Sequence, residues 1–217
     1  MQSAELRPYL MAGLALASLS LVSCATKLSR NECQSMDWRI VGYEDGAAGY
    51  PGSQIGAHRK ACGEYGVTPD FDAYQAGRAE GLREFCTAAN GYRIGAAGGE
   101  YAGACPVERE ENFQRAFAEG HELYALRSRV DSTGNQLSGK RRELERLQNG
   151  VTENAAVAVD PATTKEARVA AVADTAKLAE RIGRVKTEIR SGEQELARLE
   201  RELDDYLATH SPVVSSR

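Results

Sequence analysis

From Leu178 to Tyr206 the apolar residues step by three and four: Leu178, Ile182, Val185, Ile189, Leu196, Leu199, Leu203 and Tyr206, with charged side chains between them. A seam of that period is buried by laying the helix along another helix. The stretch before it carries a weaker matching seam: Leu123, Leu126, Val130, Leu137, Leu144, Leu147 and Val151. Thr133 and Lys140 fill its missing positions, and Gly134 and Gly139 predict a weak or bent middle. Between the seams "NGVTENAAVAV" reads as a turn, and Asp160 with Pro161 restarts a helix. The pattern predicts an antiparallel coiled-coil hairpin over 107–210, opened by Pro106 with Glu108, Glu110 and Glu111 near the positive end of the helix dipole. A turn near 153–159 would bring Leu144 to Val169, Val130 to Ile182, and Phe113 and Phe117 to Leu196 and Leu199. Such an arm reaches on the order of 60 Å. A parallel oligomeric coiled coil is the alternative.

The N-terminal end sets a compartment. "MQSAELRP" holds one fixed positive side chain, Arg7, and an apolar run from Tyr9 to Val22 follows, broken by Ser18 and Ser20. This is a signal-peptide profile, weakened by Glu5, and it falls short of the ~20 residues of a membrane-spanning helix. Leu21, Val22, Ser23 and Cys24 resemble the bacterial lipobox, which implies cleavage of 1–23 and a lipid on Cys24. Acyl chains contribute ~0.8 kcal/mol per buried CH₂, so no other anchor is needed. Ala25 stands where an aspartate would favour the inner membrane, so the expected location is the outer membrane, facing the periplasm.

With Cys24 assigned to lipid, the chain's 5 cysteines leave Cys33, Cys62, Cys86 and Cys105 for two disulfides in an oxidising compartment. These would staple a small glycine-rich helical domain over 33–106, behind a short tether at 24–32. No C-x-x-C pair is present, which argues against a zinc site with His58 or His121. Spacing does not give the connectivity, but local signals narrow it. Ser53 predicts a helix ending at Gly66. Thr68, Pro69 and Asp70 start a second, with proline at its first position, that ends near Asn90 and Gly91. In an antiparallel pair of those helices Cys62 and Cys86 lie roughly 20 Å apart, beyond disulfide reach. Cys33 with Cys62 and Cys86 with Cys105 is the preferred pairing.

Glycines recur in this region at four-residue spacing. Tyr50, Gly52, Gly56 and Cys62, then Tyr74, Gly77, Gly81 and Cys86, then Tyr92, Gly95, Gly99 and Cys105 read as three similar units, preceded by Gly42 and Gly46 after Trp38. Glycine inside a helix costs about 1 kcal/mol relative to alanine, so the spacing predicts close helix packing that offsets the cost. That reading suits the Tyr74 unit, with its Phe71, Tyr74, Leu82 and Phe85 stripe. For the Tyr92 unit, "GAAGGEYAGA" has little to bury and reads as a loop held by the staples.

The segments "DWRIVGYEDGAAG", "AHRKAC", "YQAGRAEGLREFC", "GGEYAGACP" and "FAEGHELY" together resemble the YfiL-like bacterial lipoproteins, a family defined only as a domain of unknown function. The resemblance covers roughly Cys33 to Leu126. It implies a lipoprotein with disulfides and supplies no activity; the C-terminal extension lies outside it.

The net charge of −4 comes without a long basic block, so the electrostatic footprint of a nucleic-acid binder is missing. G-x-S-x-G, H-E-x-x-H, P-loop and dinucleotide fingerprints are all absent from the sequence. No cofactor is expected. Glu80 and Glu84 beside Arg83 look like a solvated helix face, and His121 reads as structural. The leading expectation is a mainly α, non-enzymatic outer-membrane lipoprotein that binds an envelope protein or itself through the coiled coil. The alternative is an envelope enzyme or a peptidoglycan- or glycan-binding module using Trp38, Tyr43, Asp45 and His58. The two separate on whether those four side chains share a pocket. The end of the chain, 211–217, reads as a disordered tail.

Overall fold

The computed structural model describes residues 28–210. Cys24, the segment 1–23, the first part of the tether and the tail 211–217 lie outside the described residues. Seven helices follow in order: α1 (Arg30–Ser35), α2 (Trp38–Ala47), α3 (Gln54–Gly63), α4 (Phe71–Phe85), α5 (Ala88–Ala96), α6 (Val107–Val159) and α7 (Lys165–His210). Among the described residues there is no strand, and no helix is long and apolar enough to cross a membrane.

Short polar side chains fix the starts. Asp37 accepts from the amides of Arg39 and Ile40, Asp70 from that of Ala73, and Thr87 from that of Asn90. Each satisfies first-turn amides that have no partner within the helix. The long helix expected from Pro69 to Asn90 is therefore two helices. Pro69 stands before the cap, and Cys86 leaves the helical region at φ −82, ψ 61, after which Thr87 starts α5.

α2 packs on α4, and α5 packs on α6. The two pairs are built alike, contact for contact. A Cβ added at Gly42 would meet the carbonyl oxygen of Tyr74 at 2.0 Å, and one at Gly91 would meet that of Phe113 at 2.6 Å. Gly46 faces the carbonyl of Arg78 as Gly95 faces that of Phe117, and Gly81 faces Tyr43 as Gly120 faces Tyr92. At the ends of the first helices Gly49 (φ 75) receives the ring of Phe85, and Gly98 (φ 71) that of Tyr124; L side chains avoid that left-handed backbone. "GYEDGAAG" thus corresponds to "GYRIGAAG", and "YQAGRAEG" to "FQRAFAEG".

The repeat is therefore a helix pair, doubled, and not three Tyr-Gly-Gly-Cys units. The Tyr92 unit, expected to be a loop, supplies α5 as a packed helix, because Gly91 and Gly95 let it settle on α6; Gly99 lies beyond the helix. Cβ atoms added at Gly56 would meet nothing within 4 Å, so the Tyr50 unit makes no such crossing. The partner of α4 is α2, while α3 is inserted between them.

One staple ties α1 to α3 beside the first pair, and the other ties the end of α4 to the residue before Pro106 at the start of α6. Cys33 bonds Cys62 and Cys86 bonds Cys105, with Cα separations of 5.5 and 5.6 Å, the preferred connectivity. Cys33 and Cys62 are buried with Trp38 and Tyr74, and Cys86 with Leu82, Phe85, Ala104 and Phe113. Because Phe113, Ala116 and Gly120 belong to the second pair, α6 is shared. Position 106 marks the start of α6 and not a break between units.

Past the second pair α6 runs on as one arm of the hairpin. Leu137 is buried with Val185 and Ile189, flanked by Leu144, Leu147 and Leu196. The turn lies at 160–164, later than expected, and "NGVTENAAVAV" is helix. Asp160 precedes proline and takes ψ 121, as a residue before proline prefers. Its carboxylate accepts from the Ala162 amide at 2.9 Å, and Thr164 Oγ1 accepts from the Ala167 amide at 3.2 Å to start α7. The later turn shifts the pairing. Leu178 approaches Gly150, Leu137 meets Gly192, and Phe113 and Phe117 pack within the second pair instead of against α7. The returning helix still docks on the domain, through Leu203, Tyr206 and Leu207 against Leu123, Leu126, Tyr92 and Ala96. The Tyr206 hydroxyl donates to the Glu119 carbonyl at 2.6 Å.

Ion pairs lace the arm. Arg181 donates twice to Glu143 Oε1, at 2.9 and 2.5 Å, and Lys140 reaches Glu188 at 2.6 Å. The Arg181 hydrogen bond holds the Glu143 carboxyl below its ordinary 4.5, and the Glu188 hydrogen bond pushes the Lys140 ammonium up. A carboxyl depressed in the folded state stabilises above its unfolded value and loses that contribution as pH falls through its folded value. Acidifying from pH ~7 to pH ~3 is therefore expected to lower the arm's thermal midpoint in circular dichroism, with little change down to pH ~5. Glu143→Gln should blunt the acid drop; an unchanged acid profile in that variant would remove this pair from the account.

Candidate functional site

Within the first helix pair one polar cluster lies where the second pair has none. Asp45 sits on α2 one residue before Gly46, whose missing side chain lets the α4 backbone close over it, and it is 6% exposed. Its Oδ2 accepts from the Tyr74 hydroxyl at 2.7 Å and faces His58 Nε2 at 2.8 Å. His58 comes from the inserted α3. The Trp38 ring meets the imidazole edge-on at a centroid distance of 6.3 Å, and the Tyr74 ring lies 6.1 Å from it.

Burial first, and then the hydrogen bond to Asp45, push the Tyr74 hydroxyl well above its ordinary value, partly opposed by Arg78. The phenol thus keeps its proton and serves as a donor. In chemical terms the cluster holds the imidazole in one orientation and pins α3 onto the α2–α4 pair. Its side chains supply neither an adjacent nucleophile nor a metal set: among the described residues no group of three His, Cys, Asp or Glu could hold a metal ion.

Of the four residues singled out from sequence, Trp38, Asp45 and His58 come together and Tyr43 does not. Tyr43 lies on the other side of α2, its hydroxyl donating to Glu84 Oε2 at 2.9 Å, and that hydrogen bond raises its pKa. Trp38 and Asp45 are buried as packing. The four therefore do not share a pocket, and the arrangement gives no geometric support to a ligand site built on them. Glu80 pairs with Arg39 across the α2–α4 face at 2.5 Å. His121 is exposed, with the rings of Phe117 and Tyr124 at centroid distances of 6.1 and 6.0 Å.

Sequence reasoning missed Tyr74 as the fourth member. The signal that identifies it is the doubled pair, in which Phe113 stands in the place of Tyr74 and Ile94 in that of Asp45. Where the hydroxyl is lost, the carboxylate is lost with it. Tyr74→Phe and Asp45→Ile are each expected to cost about 1–3 kcal/mol, since each strands a buried polar partner. The double variant, which copies the second pair, should cost less than their sum. Urea denaturation of the three variants checks this, and strictly additive losses would mean the two positions are not coupled.

The N-terminal end of the described chain is tied to this same cluster. Leu28 packs against it and its carbonyl accepts from the Tyr65 hydroxyl at 2.9 Å.

Residues 37–122 match the family described as "Protein of unknown function (DUF2799)". The match runs from α2 into the first turns of α6 that complete the second pair, within the span of the motifs that suggested a family of unknown function, and it stops where the arm begins. No curated protein and no solved structure gives a match.

Proposed function

From a domain whose family carries no assigned activity, we propose that this chain is a non-enzymatic, lipid-anchored protein of the bacterial outer membrane. It faces the periplasm and binds an envelope protein through its coiled-coil arm. Cys24 is the anchor in this reading, and the tie of Leu28 to the first helix pair keeps that pair beside the membrane.

The observation that carries the proposal is the contrast along the hairpin. Near the domain its seam is buried and its flanks are ion-paired. At the far end Val157, Val159, Val169 and Val172 are exposed at 40, 79, 62 and 62%, with alanines between them. Exposed apolar side chains gathered at one end of a charged surface mark an interaction site. The buried seam also means that the hairpin satisfies itself within one chain, so α6 and α7 have no need of a parallel oligomer.

Photo-crosslinking in living cells tests the proposal, with the reactive group placed in turn at Val159, Val169 and the mid-arm position Glu145. Capture of one protein from the two tip positions but not from the middle is expected. Equal capture along the arm, or none at the tip, overturns the proposal. Cys24→Ala should release the chain from membranes and abolish labelling by radioactive palmitate; persistence of either rejects the anchor.

A further inference from the structure

We propose that the cleft between α4 and the start of α6 binds a phosphomonoester dianion. The cleft has a volume of 390 Å³ and is lined by three arginines, Arg78, Arg83 and Arg109, together with Gln75, Pro106 and Glu108. It lies where the two helix pairs meet, and Arg78 stands one helical turn from Tyr74 of the Asp45 cluster.

Arg78 is the half-buried arginine of the cleft. Its Nη2 donates to the carbonyls of Tyr50 at 3.0 Å and Ala104 at 3.5 Å, which fixes the guanidinium. Its Nε is buried with no partner, as is Arg168 Nε at the hairpin turn, and a buried donor left unpaired is costly. The doubled architecture shows that the cost is not forced by the fold. Phe117 holds the corresponding place on α6, packed on the second pair's core. Where one pair uses a phenylalanine, the other spends a half-buried guanidinium at the junction, and such breaks of the local rule mark sites under another demand.

Arg83 and Arg109 add to it. Neither guanidinium has a hydrogen-bond or ion-pair partner among the described residues, whereas Arg141, Arg181 and Arg198 of the arm are ion-paired. Three guanidiniums and the Glu108 carboxylate leave two positive charges, which match a phosphate monoester in its dianionic form. Guanidinium forks fit the geometry of phosphate oxygens. Pro106 caps α6 without a side-chain acceptor, so the first-turn amides of that helix add to the positive field beside Arg109. The required group occurs both as a soluble sugar or glycerol phosphate and as the headgroup of a membrane lipid.

The inference goes beyond the arm-binding reading and does not depend on it. The test titrates the purified full chain calorimetrically with glycerol phosphate at low ionic strength. In parallel it measures binding to phosphatidylcholine vesicles carrying either phosphatidic acid, a monoester, or phosphatidylglycerol, a diester, at equal surface charge. Saturable binding of glycerol phosphate assigns a soluble ester. Binding confined to phosphatidic acid vesicles assigns a lipid headgroup. In either case Arg83→Gln with Arg109→Gln should weaken binding at least about tenfold, and Glu108→Gln should tighten it. Arg83 and Arg109 are exposed, so circular dichroism should show both variants folded. No saturable binding in any arm, equal binding to the diester vesicles, or an unaffected double variant overturns the assignment.

Discussion

Gly81→Ala is expected to cost this protein about 3 kcal/mol, the upper part of the usual range for overpacking, read as a fall in its urea midpoint. The added methyl would stand 2.1 Å from the carbonyl oxygen of Tyr43 and 2.5 Å from the amide of Ala47. Both are backbone atoms of α2 and neither can rotate aside, so the helices must part. Parting them exposes Tyr74 and strands Asp45. Gly77→Ala is the instructive comparison. Its methyl would fall 1.8 Å from the carbonyl of Arg39, yet the corresponding place on α6 is Ala116, buried at 8%. A crossing of this kind accommodates a methyl there by opening slightly at one end. Gly77→Ala should therefore be the milder of the two despite its shorter contact, and the reverse order would show that the pairs differ in energetics. Gly56→Ala, on a helix face open to solvent, should gain up to about 1 kcal/mol from helix propensity.

Reducing both disulfides is expected to melt the helix pairs while the outer arm survives. Cys33 and Cys62 are 29 residues apart, Cys86 and Cys105 19, and closing loops of that size in the unfolded chain is worth about 3 kcal/mol for each bond. That is comparable to the whole stability of a small core. The seam of Leu137, Val185 and Ile189 touches neither staple. Hydrogen exchange should show protection lost across α2 to α5 and kept in the facing stretches of α6 and α7 around that seam. A single transition that removes protection everywhere would mean that the arm folds only on an intact domain.

The seam of α7 was readable because each of its apolar residues needs the same thing, a neighbouring helix, and heptad spacing states that need locally. The turn was not, because "NAAVAV" looks like weak, small-residue linker, whereas alanine is the best of helix formers and the real stop is the restriction that Pro161 places on Asp160. Every residue pairing across the hairpin moved with that one boundary. The glycine spacing announced close packing, but not with what. Gly42 and Gly46 find their partner more than thirty positions later in α4, and units drawn by proximity to the next cysteine cut across the true pair. For the polar cluster, Trp38, Asp45 and His58 could be picked out by residue type. Tyr43 was grouped with them by nearness in sequence, yet two residues along a helix is more than half a turn, which carries it to the opposite face. Tyr74 becomes visible only once α4 is known to lie on α2.

The second helix of the second pair and the first arm of the hairpin are one unbroken helix, α6, and this gives the molecule mechanics as well as shape. The part beyond Leu126 is about 50 Å long, so one degree of tilt at the α5 crossing displaces the tip by roughly 0.9 Å. The fulcrum is the contact of Gly91, Gly95 and Gly120 with facing backbone, where no side chain cushions the motion. A load on the valines at the far end is thus delivered, magnified as torque, to the crossing beside Cys86–Cys105, while α7, anchored by Tyr206 on Glu119, acts as the brace that resists it.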